Sequence, residues 1–337
     1  MIVMKRVLIV GAGGFTGGFI AEEGLRRGYE VWAGVRRTTD RRYLSDPRLH
    51  FLELDFDTHG ALSDALRNAL PDGEKWDYII YNLGATKVMR YADFSRINHD
   101  YLRAFTGALQ QLDLVPEKLL YMSSLSALGP YGERDRRPAT EDIIPQPNTR
   151  YGASKLKAEI WLATSGIPYI IFRATGIYGP RDHDYFLEFK SLKSGFDFQV
   201  GFRSQALTFI YVEDLARAVY DALKNAPTGE TYNISESRAY SQKEFRTIVK
   251  KELGKKFVMP VKLPLFMVKM ACWVSEKWAV ARLKTSTLNS DKYRILRQRN
   301  WRVNTDKARR DFGFEALVPL KEGVHKSIEW YKKNKWL

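Results

Sequence analysis

Cysteine is nearly absent from this 337-residue sequence, with Cys272 standing alone. That excludes an intramolecular disulfide and a cysteine-built zinc site, and it fits a reducing compartment. Histidine is scarce as well: five residues, none in a His-x-x-x-His pair, so the chain carries no metal signature. No apolar run is long and uncharged enough to span a bilayer. The most apolar stretch, Leu263 to Val280, is interrupted by Lys269, Glu276 and Lys277. The opening residues, Met1 to Val10, lack a small-residue cleavage site and lead straight into Gly11. They read as a first strand rather than a signal peptide, and the cytoplasm is the expected compartment. Repeats, low-complexity tracts and independent linkers are missing too.

What is present is material for a large core. Apolar residues make up 45% and aromatics 13%, which excludes a mostly disordered chain. The net charge of +15 is unevenly placed. Residues 1–242 hold 30 Lys and Arg against 30 Asp and Glu, whereas residues 243–337 hold 24 against 9 and carry the whole excess. A basic tail attracts an anionic small-molecule substrate or lipid headgroups, or it serves as a soluble surface. No nucleic-acid motif accompanies it, so a nucleic-acid partner is not expected.

The chain alternates strands and helices. Val7 to Val10 is a continuous apolar run, as in a strand buried on both faces of a parallel sheet. Gly11-Ala-Gly-Gly14-Phe15-Thr16-Gly17 follows, then a helix to about Arg27. Glycines there let backbone approach a pyrophosphate while the helix N-terminus supplies N–H donors. The second strand, Val31 to Val35, ends in Arg36-Arg37, where an acid would select the ribose 2′-hydroxyl of NAD. Arginine suits a 2′-phosphate, so NADP is the favoured cofactor, with NAD as the alternative. Further strands are expected at Phe51–Asp55, Asp77–Tyr81, Leu119–Met122 and Tyr169–Arg173. Helices are expected at 60–70, 93–112 and from Tyr151 to about Thr164. The fold class is therefore α/β, a doubly wound parallel Rossmann sheet with a smaller, mostly helical C-terminal lobe.

The chemistry centres on Tyr151-Gly-Ala-Ser-Lys155. Four residues apart on a helix, the phenol and the ammonium share one face. An ammonium nearby favours the phenolate, and moving a tyrosine from near ~10 to neutral pH takes roughly 3 units. Ser123 and Ser124 close the fifth strand at its carboxyl end, the edge where ligands bind in such sheets.

These motifs resemble the extended short-chain dehydrogenase/reductases of the NAD-dependent epimerase/dehydratase family. The carrying residues are Gly11-x-x-Gly14-x-x-Gly17, Asp55, Asn82-Leu83-Gly84-Ala85, Asn98, Ser123-Ser124, Tyr151-x-x-x-Lys155 and Phe172 to Pro180. Phe209 to Ala216 and Gly229 to Ile234 extend the match. The resemblance implies Tyr151 as acid/base, Lys155 as ribose ligand and modulator of Tyr151, and Ser124 as hydrogen-bond partner of the reacting oxygen. It implies a cofactor envelope of Gly11, Gly14, Phe15, Thr16, Gly17, Arg36, Arg37, Asp55, Phe56, Leu83, Gly84, Ala85, Tyr151, Lys155 and Ile177. It also implies a discontinuous layout. A dinucleotide-binding domain spans 1–178 and regains 207–236, while 179–206 and 237–337 form the substrate lobe; a homodimer is expected.

The reaction stays open between three readings. A reductase or dehydrogenase acts on a secondary alcohol or ketone, an epimerase of nucleotide sugars keeps NAD bound, and a non-catalytic sensor only binds dinucleotide. Leu125-Ser126 stands where sugar-nucleotide 4,6-dehydratases carry an Asp-Glu pair, and Leu207-Thr208 where many epimerases carry a pyrophosphate-binding arginine. Arg181, Arg203 or the basic residues of the tail are the candidate substitutes, and His183 is expected in solvent. Leu263 to Val280 is read as an amphipathic helix lining the cleft or a dimer face, with a membrane surface as the lesser alternative. Ser241 to Glu244 is a capping box, and Thr305-Asp306 caps a later helix.

Overall fold

The computed structural model describes residues 4–134, 136–282, 286 and 288–337. Seven parallel strands form the central sheet: β1 (Arg6–Val10), β2 (Glu30–Val35), β3 (His50–Glu53), β4 (Tyr78–Tyr81), β5 (Lys118–Ser124), β6 (Tyr169–Ala174) and, after four short strands, β11 (Glu230–Ile234). The order is β11-β6-β5-β4-β1-β2-β3, so the winding reverses between β1 and β4. That reversal opens a crevice at the strands' carboxyl ends. Leu8, Ile9, Ile79, Ile80, Leu119 and Leu120 are wholly buried, which is why these strands read as unbroken apolar runs.

Helices cover both faces. One face holds α1 (Phe15–Arg26); the other holds α2 (Ala61–Arg67), α3 (Ala92–Ser95), α4 (Tyr101–Gln111) and α5 (Arg150–Thr164). The helix expected over 93–112 is broken by one π-turn, Arg96–Asp100, between α3 and α4. Wholly buried Phe105 and Leu109 of α4 each contribute on the order of 1.5–3 kcal/mol by leaving water.

After β6 the chain runs through β7 (Gly176–Tyr178), α6 (Asp184–Lys193), β8 (Phe196–Val200), β9 (Ala206–Leu207) and β10 (Phe209–Tyr211). Helix α7 (Val212–Asn225) packs on α1, and β11 then joins the main sheet beside β6. The remainder is β12 (Tyr240–Ser241), α8 (Gln242–Glu252), β13 (Met259–Leu263), α9 (Leu265–Ala281), α10 (Ser290–Arg297), α11 (Asp306–Phe312) and α12 (Leu320–Lys333). The capping box at Ser241 and Glu244 forms in both directions. Thr305 differs from expectation: at φ −119°, ψ 12° its hydroxyl makes no cap bond, and Asn304 Oδ1 instead accepts from Asp306 N at 2.7 Å.

Helix α9 also departs from the sequence reading. Val268, Cys272 and Ala279 face inward, but Phe266, Met270, Trp273 and Trp278 lie outside, 58–70% exposed. The apolar residues expected to line a cleft thus stand mostly in solvent. The segment is apolar on both sides rather than amphipathic.

Candidate active site

Strand β5 and helix α5 bring the candidate residues together at the carboxyl edge of the sheet. Thr149 starts α5 by accepting a hydrogen bond from Gly152 N at 2.9 Å. Gly152 itself is pressed against the loop after β5, where a Cβ would lie 2.1 Å from Ser126 O. That close approach holds Tyr151 next to Ser124, whose Oγ accepts from Ser126 N at 3.2 Å. Burial of the phenol raises its pKa to about 12, with the nearby Ser124 hydroxyl opposing.

Lys155, 3% exposed, donates to Met122 O at 2.8 Å and lies 4.8 Å over the Tyr121 ring. Burial pulls its pKa down to about 8, and the Glu159 carboxylate partly restores it. The sequence leads one to expect a Tyr151 phenol pulled down by Lys155. In the protein alone the phenol moves up, because desolvation prevails and the ammonium is directed to the Met122 carbonyl and the Tyr121 face.

Ser123 is not available for substrate. Its hydroxyl donates to Glu159 Oε1, whose carboxylate also binds Arg173 through Nε and Nη2, the shorter contact 2.7 Å. Glu159 lies one turn beyond Lys155 on the same helical face, a spacing that could have revealed it in the sequence. Asn98 sits wholly buried in the π-turn: it accepts from Ala85 N at 2.7 Å and donates to Ala85 O at 3.1 Å and Ser154 Oγ at 2.9 Å. Such turns are enriched at functional sites. Here the extra residue aims Asn98 at the β4 loop. From the C-terminal segment, Asp291 of α10 accepts a hydrogen bond from Tyr151 N at 3.1 Å. No sequence signal links positions 140 residues apart. Arg150 lies 3.3 Å over the Tyr91 ring, and Tyr91 donates to Glu276 of α9, so α9 touches the cleft through its inner edge.

The residues expected to hold a dinucleotide form a cradle. Gly11 adopts φ +87°, and a Cβ there would sit 2.9 Å from Leu83 backbone. A Cβ on Gly17 would come 2.4 Å from Gly11 O, so the helix approaches the turn only with glycine. Gly14 begins α1 with no side-chain cap, leaving the first N–H groups of Phe15, Thr16 and Gly17 open to an anion. Gly84 faces Lys155 Nζ and Asn98 Oδ1, which a Cβ would meet at 2.9 and 3.1 Å. Thr16 is tied to Asn82 at 3.0 Å, and Ile177 packs against the core below. Arg36 and Arg37 are exposed in a turn closed by Thr39, whose methyl crowds Gly13. Asp55 is exposed; its Oδ2 accepts from the Thr58 hydroxyl and its Oδ1 from Asp57 N and Thr58 N. Phe56 stacks on Tyr101 at 4.8 Å. These features fit a nicotinamide dinucleotide.

Other candidates fall elsewhere. Arg181 pairs with Glu22 at 2.8 Å and lies 4.5 Å from both the Phe19 and Tyr43 rings, committed to structure rather than a substrate pyrophosphate. Arg203 is exposed. Thr208 donates to Trp301 O at 2.6 Å, and His183, exposed, stacks on Trp336. Among the described residues no group of His, Cys, Asp and Glu could hold a metal.

A model of the NAD dependent epimerase/dehydratase family matches residues 7–235. The chain is 22% identical to a dTDP-glucose 4,6-dehydratase of Neisseria meningitidis serogroup B, with 98% of this chain and 94% of that one covered. It is 24% identical to a putative UDP-glucose 4-epimerase of Methanocaldococcus jannaschii, covering 97% and 99%. Among solved structures, the UDP-glucose 4-epimerase of Thermotoga maritima with UDP-glucose has the same fold, with TM-score 0.77, 19% identity and 98% and 99% coverage.

Proposed function

Because the chain belongs to the NAD dependent epimerase/dehydratase family, an enzyme family using a nicotinamide dinucleotide, we propose that it moves a hydride at a secondary alcohol or ketone of a nucleotide-sugar-like substrate. The bound nicotinamide supplies the hydride acceptor or donor. Tyr151 gives or takes the proton at the substrate oxygen, and the Ser124 hydroxyl orients that oxygen beside it. Lys155 holds the ribose of the cofactor and provides positive charge near the phenol. Burial raises the phenol to about 12 against the opposing Ser124 hydroxyl, so Tyr151 is protonated at neutral pH in the absence of further positive charge. It is then ready to act as the acid in the reducing direction.

The observation that carries this reading is the close approach of Gly152 to Ser126 O, which sets Tyr151 beside Ser124 and one turn from buried Lys155, itself donating to Met122 O at 2.8 Å. Tyr151→Phe should keep dinucleotide affinity and lower turnover roughly 10²–10⁴-fold. Turnover near that of the parent enzyme would remove Tyr151 from the reaction.

The residues after Ser124, buried Leu125 and then Ser126, argue against water elimination because neither is an acid, even though one relative is a 4,6-dehydratase. The exposed Arg36 and Arg37 favour NADP and a reductase that exchanges its cofactor each cycle. NADPH should then bind more tightly than NADH, and equal affinities by fluorescence titration would end that reading. The second reading, an epimerase with retained NAD, is supported by the likeness to a putative UDP-glucose 4-epimerase. Mass spectrometry of the purified protein separates the two.

A further inference from the structure

We propose that the outer face of α9, together with the adjoining β8–β13 ribbon, docks onto an anionic phospholipid surface. A helix on a globular protein normally turns its apolar stripe inward. Helix α9 does so with Val268 and Cys272, then repeats an apolar arc on its opposite side with Phe266, Met270, Trp273 and Trp278. The arc does not end with the helix. Gly201 rests against Leu265, 3.5 Å from its side chain to an ideal Cβ, which puts Phe202, 74% exposed, beside the start of α9. From there β8 adds exposed Phe198, paired in register with Val261 of β13. Exposed aromatic side chains gathered on adjoining elements in this way mark an interaction site.

Charge identifies the occupant. Residues 253–282 hold six basic side chains and one acid. The acid, Glu276, is turned inward to Tyr91 and Ser290. Lys255, Lys256, Lys262, Lys269 and Lys277 are exposed and join no ion pair among the described residues, while Arg282 lies 3.8 Å over the Trp278 ring. Tryptophan and phenylalanine flanked by lysines, with no outward acid, match the interfacial layer of an anionic bilayer. A second copy of the chain matches it poorly, because a two-fold contact would bring the same lysines against one another. Spanning is excluded for the described helices: none is long and apolar enough to cross. The helix therefore lies in the plane of the surface.

The test uses the full chain with vesicles of phosphatidylcholine, with and without phosphatidylglycerol. Sedimentation with the anionic vesicles only, with a blue-shifted tryptophan emission, is expected. Raising salt toward 1 M, where charges reach only about 3 Å, should release it. Phe266→Ser/Trp273→Ser should bind at least tenfold more weakly. Lys262→Gln, Lys269→Gln and Lys277→Gln should each weaken binding about fivefold. A thermal melt and a dinucleotide titration verify that each variant is folded. Binding equal on both vesicles, absent on both, or unchanged in folded variants would overturn the proposal. So would a dimer in sedimentation that dissociates on Phe266→Ser/Trp273→Ser, which would assign the face to a second copy.

Discussion

Helices α5 and α9 break the usual inside–outside rule in opposite directions. Helix α5 buries Ser154, Lys155 and Glu159, whereas α9 exposes Phe266, Trp273 and Trp278. On α5 each buried polar group has a partner: Ser154 holds Tyr151 O and Asn98, Lys155 holds Met122 O, and Glu159 holds Ser123 and Arg173. Burying polar groups costs free energy unless they are bonded, so this network fixes geometry rather than adding net stability. On α9 the outer apolar side chains are left mostly uncovered by the described residues. An apolar group in water leaves stabilisation unused until something covers it. Buried polarity marks the place where chemistry is organised; exposed apolarity marks the place where a partner surface is met.

The comparison is broken most forcefully at Glu159. Glu159→Ala leaves the Arg173 guanidinium, 6% exposed, without its carboxylate. A buried charge stripped of its partner destabilises by about 3–5 kcal/mol. Denaturant unfolding should report a loss of that size, and a loss under about 1 kcal/mol would mean that water already serves Arg173. The conservative Glu159→Gln sharpens the point through pH. The Lys155 ammonium, at about 8, is kept charged in part by the Glu159 carboxylate. With that carboxylate neutralised, Lys155 loses its proton at lower pH. The alkaline fall of kcat/KM should therefore begin below its position in the parent enzyme. An alkaline limb that stays in place would show that Lys155 does not set it.

How far these features could be read from the sequence follows from the range of the forces that make them. The strands were legible because burial on both faces leaves unbroken apolar runs, as in Val7 to Val10. The glycine turn was legible because Gly11 and Gly17 are required sterically, and the Ser241–Glu244 box because it is local. The pairing of Tyr151, Lys155 and Ser124 followed from the family motif. The direction of the Tyr151 shift did not, because it depends on desolvation by residues distant in sequence. The π-turn that aims Asn98 and the Asp291 contact to Tyr151 N left no local pattern. The orientation of α9 was illegible for a different reason. When apolar residues lie on both sides, periodicity cannot tell which side is covered.

The smallest effect is expected on α9, and its smallness is informative. Phe266→Ser/Trp273→Ser removes two large aromatic side chains, a change that in a core costs about 3–5 kcal/mol per residue. Here the rings are 70% and 58% exposed, so little packing is lost. Serine also has nearly the helix propensity of phenylalanine and tryptophan. Together the two substitutions should change stability by no more than about 1 kcal/mol, moving Tm by roughly 4 °C or less. A larger drop would mean that these rings are packed against protein, and the contrast with α5 would collapse. Anionic vesicles then separate the two chains. A surface that binds only the folded state raises the parent's Tm by mass action, and the doubly substituted chain should gain much less from the same vesicles.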